Sequence, residues 1–176
     1  MHQLLLLRHA KSSWVDAATP DRDRSLNARG RRAAVTMRRA MRDLGLTPDL
    51  ILVSSAKRTM ETVNLLEPWD DTPLIEPMDD LYLASAKRLF GIVRDVAETV
   101  RSVLVIGHNP GMHELAMAVT DARASAEKLV RGVREGFPTT ALAEFSIIGP
   151  WSGLDAGGAR LLRFLTPKTL GSADSD

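Results

Sequence analysis

Leu4-Leu5-Leu6-Leu7-Arg8-His9 and Val103-Leu104-Val105-Ile106-Gly107-His108 share one pattern: an apolar run that stops at a histidine. A short, unbroken apolar run, rather than an alternating one, is how a strand buried on both faces reads. In an open α/β sheet, side chains at the carboxyl ends of such strands line the ligand crevice. Two strands that each deliver a histidine there point to one shared site.

Outward from the first run, residues 10–25 are polar and turn-rich, with Thr19-Pro20-Asp21 as a turn, and read as an active-site loop. Ala34, Met37, Met41 and Leu44 then recur at helical spacing. They predict a helix over 28–44, capped by Asn27 and ended by Gly45. Leu50 to Val53 is a second buried strand, and Ser54-Ser55 after it are placed to cap a helix carrying Met60, Val63 and Leu66. Residues 68–77 read as irregular between two prolines. Leu89, Val93, Val96 and Val100 predict a helix over 85–100 that feeds the 103–107 strand. Asn109-Pro110 supplies a cap and a first-turn proline for a helix to about residue 120. A helix over 125–135 stopped by Gly136, a strand at 141–148, a Gly149-Pro150 turn and a strand at 160–165 complete the chain.

Strands alternating with helices predict an α/β three-layer sandwich around a mostly parallel sheet, with the late strand pair adding an antiparallel element. At 176 residues this is one domain, expected over 1–166, with a flexible tail over 167–176. No repeat or linker interrupts it.

Hydrophobic residues make up 44% and charged residues 26%, an ordinary globular composition that argues against disorder. The net charge of +1 leaves no global field toward nucleic acid or anionic lipid, so neither is an expected partner. Arg29, Arg31, Arg32, Arg38, Arg39 and Arg42 make the 28–44 helix basic. Without interleaved aromatics they read as a solvated face that can help dock an acidic protein. The absence of cysteine excludes thiol nucleophiles, thiolate metal sites and disulfides. The leucine run is too short for a signal segment, and no stretch approaches the roughly 18 apolar residues of a membrane span. A cytoplasmic location is expected.

Arg8 and His9 leave the first strand, Arg58 lies in the first turn after the second, and His108 leaves the third. Two arginines can hold a phosphoryl group by charge-assisted hydrogen bonds, and helix N-termini beside them add donors. A neutral imidazole can attack phosphorus and carry the group covalently until water displaces it. His9 is the expected nucleophile, and His108 steadies the transferring oxygens. Zinc fits poorly: the histidines lack i, i+4 spacing, cysteine is absent and no carboxylate stands at ligand spacing. Neither metal nor organic cofactor is expected.

Leu7 to Trp14 (LRHAKSSW), Asp21 to Gly30 (DRDRSLNARG), Ser54 to Thr59 (SSAKRT) and Val105 to Gly111 (VIGHNPG) follow one another in this order. With these motifs the chain resembles the histidine phosphatase superfamily, specifically its small branch typified by the SixA phosphohistidine phosphatases. The likeness runs from about residue 3 to about 165. It implies a phosphoglycerate mutase-like fold without a large lid insertion, phosphorylation of His9, phosphoryl binding by Arg8 and Arg58, and a pocket completed by His108.

Many members also place a Glu or Asp before the third family strand to protonate the leaving oxygen. Here that region reads Glu76-Pro77-Met78-Asp79-Asp80-Leu81-Tyr82, and Leu83 stands where the glutamate would align. Asp80 is the nearest candidate acid; a solvated turn carboxylate is the alternative. An alkoxide leaving group needs a proton, whereas the imidazole of phosphohistidine, with a conjugate acid of pKa about 6.5, departs far more easily. The missing glutamate therefore favours a phosphohistidine-bearing protein as substrate, in signal transduction. The short segment between the Arg58 helix and the 103–107 strand, which implies a shallow crevice, favours it too. A small-molecule phosphomonoesterase and a non-catalytic phosphate- or phosphopeptide-binding module are the rivals.

Ser12 and Asn109 are further candidates for substrate binding, beside Asn109's capping role. Lys11 and Trp14 follow the nucleophile closely, and Arg24 is placed to orient the loop by pairing with a carboxylate. Thr139 and Thr140 either reach the phosphate or serve a turn.

Overall fold

The computed structural model describes residues 1–171. Its centre is a six-stranded sheet of β1 (His2–Arg8), β2 (Leu50–Ser54), β3 (Leu74–Met78), β4 (Ser102–Gly107), β5 (Leu142–Ile147) and β6 (Arg160–Leu165). The strand order is β3-β2-β4-β1-β5-β6. β1, β2, β3 and β4 run parallel, while β5 pairs antiparallel with both β1 and β6. This is the mostly parallel α/β sheet with a late antiparallel pair that the pattern of elements predicts.

The unbroken apolar runs follow from the layers. Alternate residues of a strand face opposite sides, and here both sides are covered. Leu5, Leu7, Ile51, Val53, Leu104 and Ile106 pack with Met37 and Met41 of α1 (Ala28–Asp43) and Val63 and Leu66 of α2 (Lys57–Leu66). On the other face Leu4, Leu6, Leu52, Val103 and Val105 meet helices α3 (Ala86–Arg94), α4 (Gly111–Val119) and α5 (Glu127–Glu135), through Leu89, Val93, Leu115 and Val133. Leu4 to Leu7 are all fully buried, which at about 25 cal/mol per Å² makes each worth roughly 1.5–3 kcal/mol.

Four local expectations are corrected. Residues 68–77 are not irregular throughout: β3 occupies 74–78 with Pro77 inside it. β3 is an edge strand, and Leu74 N–H donates to Asp49 while Met78 carbonyl accepts from Ser55. The ladder phase thus falls on 74 and 78, and Pro77's missing N–H faces away from it. α3 ends at Arg94, not 100, because turns closed by Val96 N–H to Val93 and Val100 N–H to Ala97 carry the apolar spacing onward. Neither Ser54 nor Ser55 caps α2, whose N-cap is Ala56 with no side-chain bond. Asn109 does not cap α4: Pro110 holds that position, after a cis Asn109–Pro110 bond, and the Asn109 amide donates to the Phe137 carbonyl at 2.9 Å.

Of the expected tail over 167–176, residues 167–171 form a turn. Leu170 N–H donates to the Thr166 carbonyl at 3.0 Å, and the Leu170 side chain packs on the α1–α2 core. Residues 172–176 lie outside the described residues. No helix is long and apolar enough to cross a membrane among the described residues.

Candidate active site

Because β1, β2 and β4 are parallel neighbours, their carboxyl ends place Arg8-His9, Ser54 and Gly107-His108 side by side. The His9 and His108 ring centroids are 5.2 Å apart. Backbone bonds fix them: His9 N–H donates to the Gly107 carbonyl at 3.1 Å, and Ala10 N–H to Thr62 Oγ1 at 3.0 Å. Thr62 in turn donates to the Arg58 carbonyl at 2.6 Å, so one hydroxyl ties the loop after β1 to the helix that carries Arg58.

His9 Nδ1 lies 2.7 Å from the Ala10 carbonyl, which can only accept. Nδ1 therefore carries the proton, and the lone pair is on Nε2. Burial, with help from Arg58, Arg8 and Arg24, pushes the His9 pKa down to about 4, so the ring is neutral at pH 7. His108 is lowered further, to about 3, first by burial and then by His9 and Arg58. Its Nε2 is 2.7 Å from Ser54 Oγ, and its Nδ1 is buried without a partner.

Arg58 is 2% exposed and held from one side by Asp21: Nη1 donates to the Asp21 carbonyl at 2.6 Å and Nη2 to Oδ2 at 3.0 Å. Arg8 donates through Nη1 to the Phe137 carbonyl at 3.1 Å, and burial followed by Arg58 lowers its pKa. The Nε atoms of Arg8 and Arg58 and Nδ1 of His108 are all buried and unpartnered. Buried polar groups are normally satisfied, so such a cluster marks the place of a partner, and the Nε–H donors of two guanidinium groups suit an anion.

The structure thus brings His9, Arg8, Arg58 and His108 together. The Asp80 carboxylate pairs with Arg88, both groups being largely exposed. Leu83 is 53% exposed with φ of 49°, so its side chain stands outside the cluster. Ser12 is buried and bridges to Leu26. Asn109 Oδ1 and Thr140 Oγ1 are buried without partners, and Thr140 N–H, at φ of 63°, donates to the carbonyls of Arg8 and His9 at 3.1 Å.

Sequence reasoning assigned no site role to Asp21, Ser54 or Tyr82. Asp21 joins the whole loop: Oδ1 pairs with Arg24 at 3.0 Å, and Oδ2 accepts from Arg58 and, at 2.6 Å, from the Tyr82 hydroxyl. The Tyr82 bond leads in holding the Asp21 carboxyl below its usual range. Tyr82 meets His108 edge-on, with centroids 5.5 Å apart at 88°. Arg24 pairs with a carboxylate as expected, and its guanidinium covers the exposed Trp14 ring at 3.4 Å. The DRDR spelling over 21–24 is the available signal: it carries part of the family likeness, a turn and one pairing arginine, and does not by itself single out Asp21.

A family model described as histidine phosphatase superfamily, branch 1, matches residues 4–81, the span that holds Arg8, His9, Asp21, Ser54 and Arg58. An uncharacterised protein of Mycobacterium tuberculosis is 30% identical over 162 residues, covering 92% of this chain and 100% of its own length. Two solved structures are provisionally described as the phosphohistidine phosphatase SixA. The one from Nakamurella multipartitia superposes with a TM-score of 0.81 at 26% identity, covering 94% of this chain and 96% of that one. The one from Agrobacterium tumefaciens gives 0.78 at 30% identity, covering 94% and 98%. Sheet order, the clustered histidines and arginines, and these likenesses agree: the chain belongs to the histidine phosphatase superfamily, in its SixA-type branch.

Proposed function

We propose that this protein is a phosphatase that removes the phosphoryl group from phosphohistidine on a protein, through a covalent intermediate on His9. The observation that carries the reading is the pairing of a neutral His9, its Nδ1 committed to the Ala10 carbonyl, with the unpartnered buried Nε atoms of Arg8 and Arg58 and Nδ1 of His108.

In the first step Arg8 and Arg58 hold the phosphoryl oxygens while the His9 Nε2 lone pair forms a bond to phosphorus. The phosphorus–nitrogen bond to the substrate imidazole breaks, and the departing nitrogen takes the bonding pair and a proton from solvent. His108 contributes when Ser54 Oγ–H donates to its Nε2, because the neutral ring then carries its proton on Nδ1 and donates to a phosphoryl oxygen. In the second step water attacks phosphorus and gives up a proton to solvent, the bond to His9 Nε2 breaks with its pair returning to Nε2, and phosphate leaves. Two guanidinium groups and one imidazole supply the charge stabilisation from this chain's own residues.

Asp80, committed to Arg88 on the exposed turn, takes no part in this mechanism, and the reading does without an acid of its own. That omission suits phosphohistidine, whose leaving imidazole needs little assistance, better than an alkyl phosphate. A location in the cytoplasm and a phosphorylated protein partner accompany this reading.

The test is to incubate wild type and His9→Ala with a phosphohistidine-bearing phosphotransfer protein and with an aryl phosphate. Loss of phosphate from the phosphoprotein with wild type alone supports the reading. Turnover of the aryl phosphate only points to a small-molecule phosphatase, and turnover of neither points to a binding module.

A further inference from the structure

Beside the histidines, and sharing Arg8, Asn109 and Thr140 with their site, opens a cleft of about 800 Å³. Its walls come from the loop after β1, the start of α1, the end of α5 and the segment after β6. Arg8, Lys11 and Lys168 line it, and Glu135 is the one carboxylate among the described lining residues. The whole chain carries a net charge of only +1, so the excess of these three cations over Glu135 is local. Its floor is apolar: Phe137 lies 5.5 Å from the Phe164 ring and stacks on His113 at 6.3 Å.

We propose that this cleft binds an acidic segment of the substrate protein next to its phosphorylated residue. The inference rests on the reading of His9 as the phosphoryl acceptor, and it adds which surface around the phosphohistidine is recognised. Arg8 is common to both places, so a residue whose phosphoryl group reaches His9 brings its neighbouring chain to the mouth of the cleft. A bare phosphoryl group uses only the donors beside the histidines. An open groove of this volume with aromatic floor and cationic rim instead matches a few residues of chain, their apolar stems on the half-buried Phe164 and their carboxylates toward Lys11 and Lys168.

The test uses peptides carrying a stable phosphoryl-triazole analogue of phosphohistidine, flanked by Glu or by Gln, with binding read by fluorescence anisotropy. The Glu-flanked peptide is expected to bind roughly tenfold more tightly at low salt, with the gap closing as salt screens the rim. Lys168→Glu narrows the gap and Glu135→Lys widens it, while neither alters turnover of an aryl phosphate, which does not reach this rim. Equal binding of the two peptides, or a gap unmoved by both variants, overturns the proposal. A small bisphosphorylated sugar that displaces the acidic peptide at equal concentration also overturns it, since a small polyanion would then own the cleft. Turnover of the matching phosphohistidine peptides is read separately. If neither is hydrolysed the phosphatase reading falls, and the binding preference still decides what the cleft recognises.

Discussion

Asp21 grips Arg58 twice, accepting Nη1 at 2.6 Å through its main-chain carbonyl and Nη2 at 3.0 Å through Oδ2. The same carboxylate holds Arg24 and the Tyr82 hydroxyl, so one residue sets the position of the guanidinium proposed to bind the phosphoryl group relative to the ring that packs on His108. Asp21→Asn keeps the shape but weakens the hold on both arginines. Small misplacements of a reacting group are costly, so kcat/KM toward an aryl phosphate is expected to fall roughly tenfold or more, mostly in kcat. An unchanged kcat would show that Arg58 is positioned without Asp21.

Titration of His9 provides a second check. Followed by NMR of the ring Cε1–H, its midpoint is expected near 4, not near the ordinary 6.5. A group whose folded pKa is depressed contributes stability that is present above its unfolded pKa and lost as pH falls. For His9 and His108 the loss begins below about 6.5 and runs down to about 4 and 3. Between pH 7 and pH 5 it amounts to on the order of 2 kcal/mol for each ring by linkage. The depressed carboxylates Asp21 and Asp79 begin to count only at lower pH. Urea melts at pH 7 and pH 5 measure this directly, and equal midpoints would contradict it.

Ser54 is fully buried, and its hydroxyl is the partner given to His108 Nε2, at 2.7 Å. Ser54→Ala leaves that nitrogen unpaired and the ring free to change tautomer, which is expected to lower kcat about tenfold. His108→Ala removes the donor proposed for the transferring oxygens, and a loss of about a hundredfold or more is expected. Steady-state kinetics of both variants tests the order. A Ser54→Ala enzyme with full kcat would remove Ser54 from the account.

Gly30 sits where α1 passes under the loop that follows His9. A Cβ there would lie 2.1 Å from the Lys11 carbonyl oxygen, closer than any real contact. Gly30→Ala is therefore expected to push the loop off the helix and cost about 1–3 kcal/mol in urea melts, with activity falling as well. A neutral effect would mean the loop is free to move.

The sequence made the sheet readable where both faces of a strand are covered, since Leu4 to Leu7, Leu50 to Val53 and Val103 to Ile106 can hardly fit anything else. It failed at β3, because an edge strand with one covered face and a proline off the ladder phase lacks that run. It overran α3, because Val96 and Val100 keep helical spacing in turns. The strand-end residues Arg8, His9 and His108, with Arg58 in the turn after β2, were legible because topology alone carries them to one end. Asp21, Ser54 and Tyr82 were not, since each acts through a side-chain bond to a residue distant in sequence: Arg58, His108 and Asp21. Asp80 looked suitable by position along the chain, and in the fold its carboxylate is taken up by Arg88 in the first turn of α3.

The most direct measurement of the central claim is mass spectrometry of enzyme quenched during turnover of a phosphohistidine substrate. The account expects one acid-labile phosphoryl group on the peptide containing His9, formed by wild type, formed slowly by His108→Ala, and absent from His9→Ala. A phosphoryl group on any other residue, or phosphate released by His9→Ala at the wild-type rate, would contradict it.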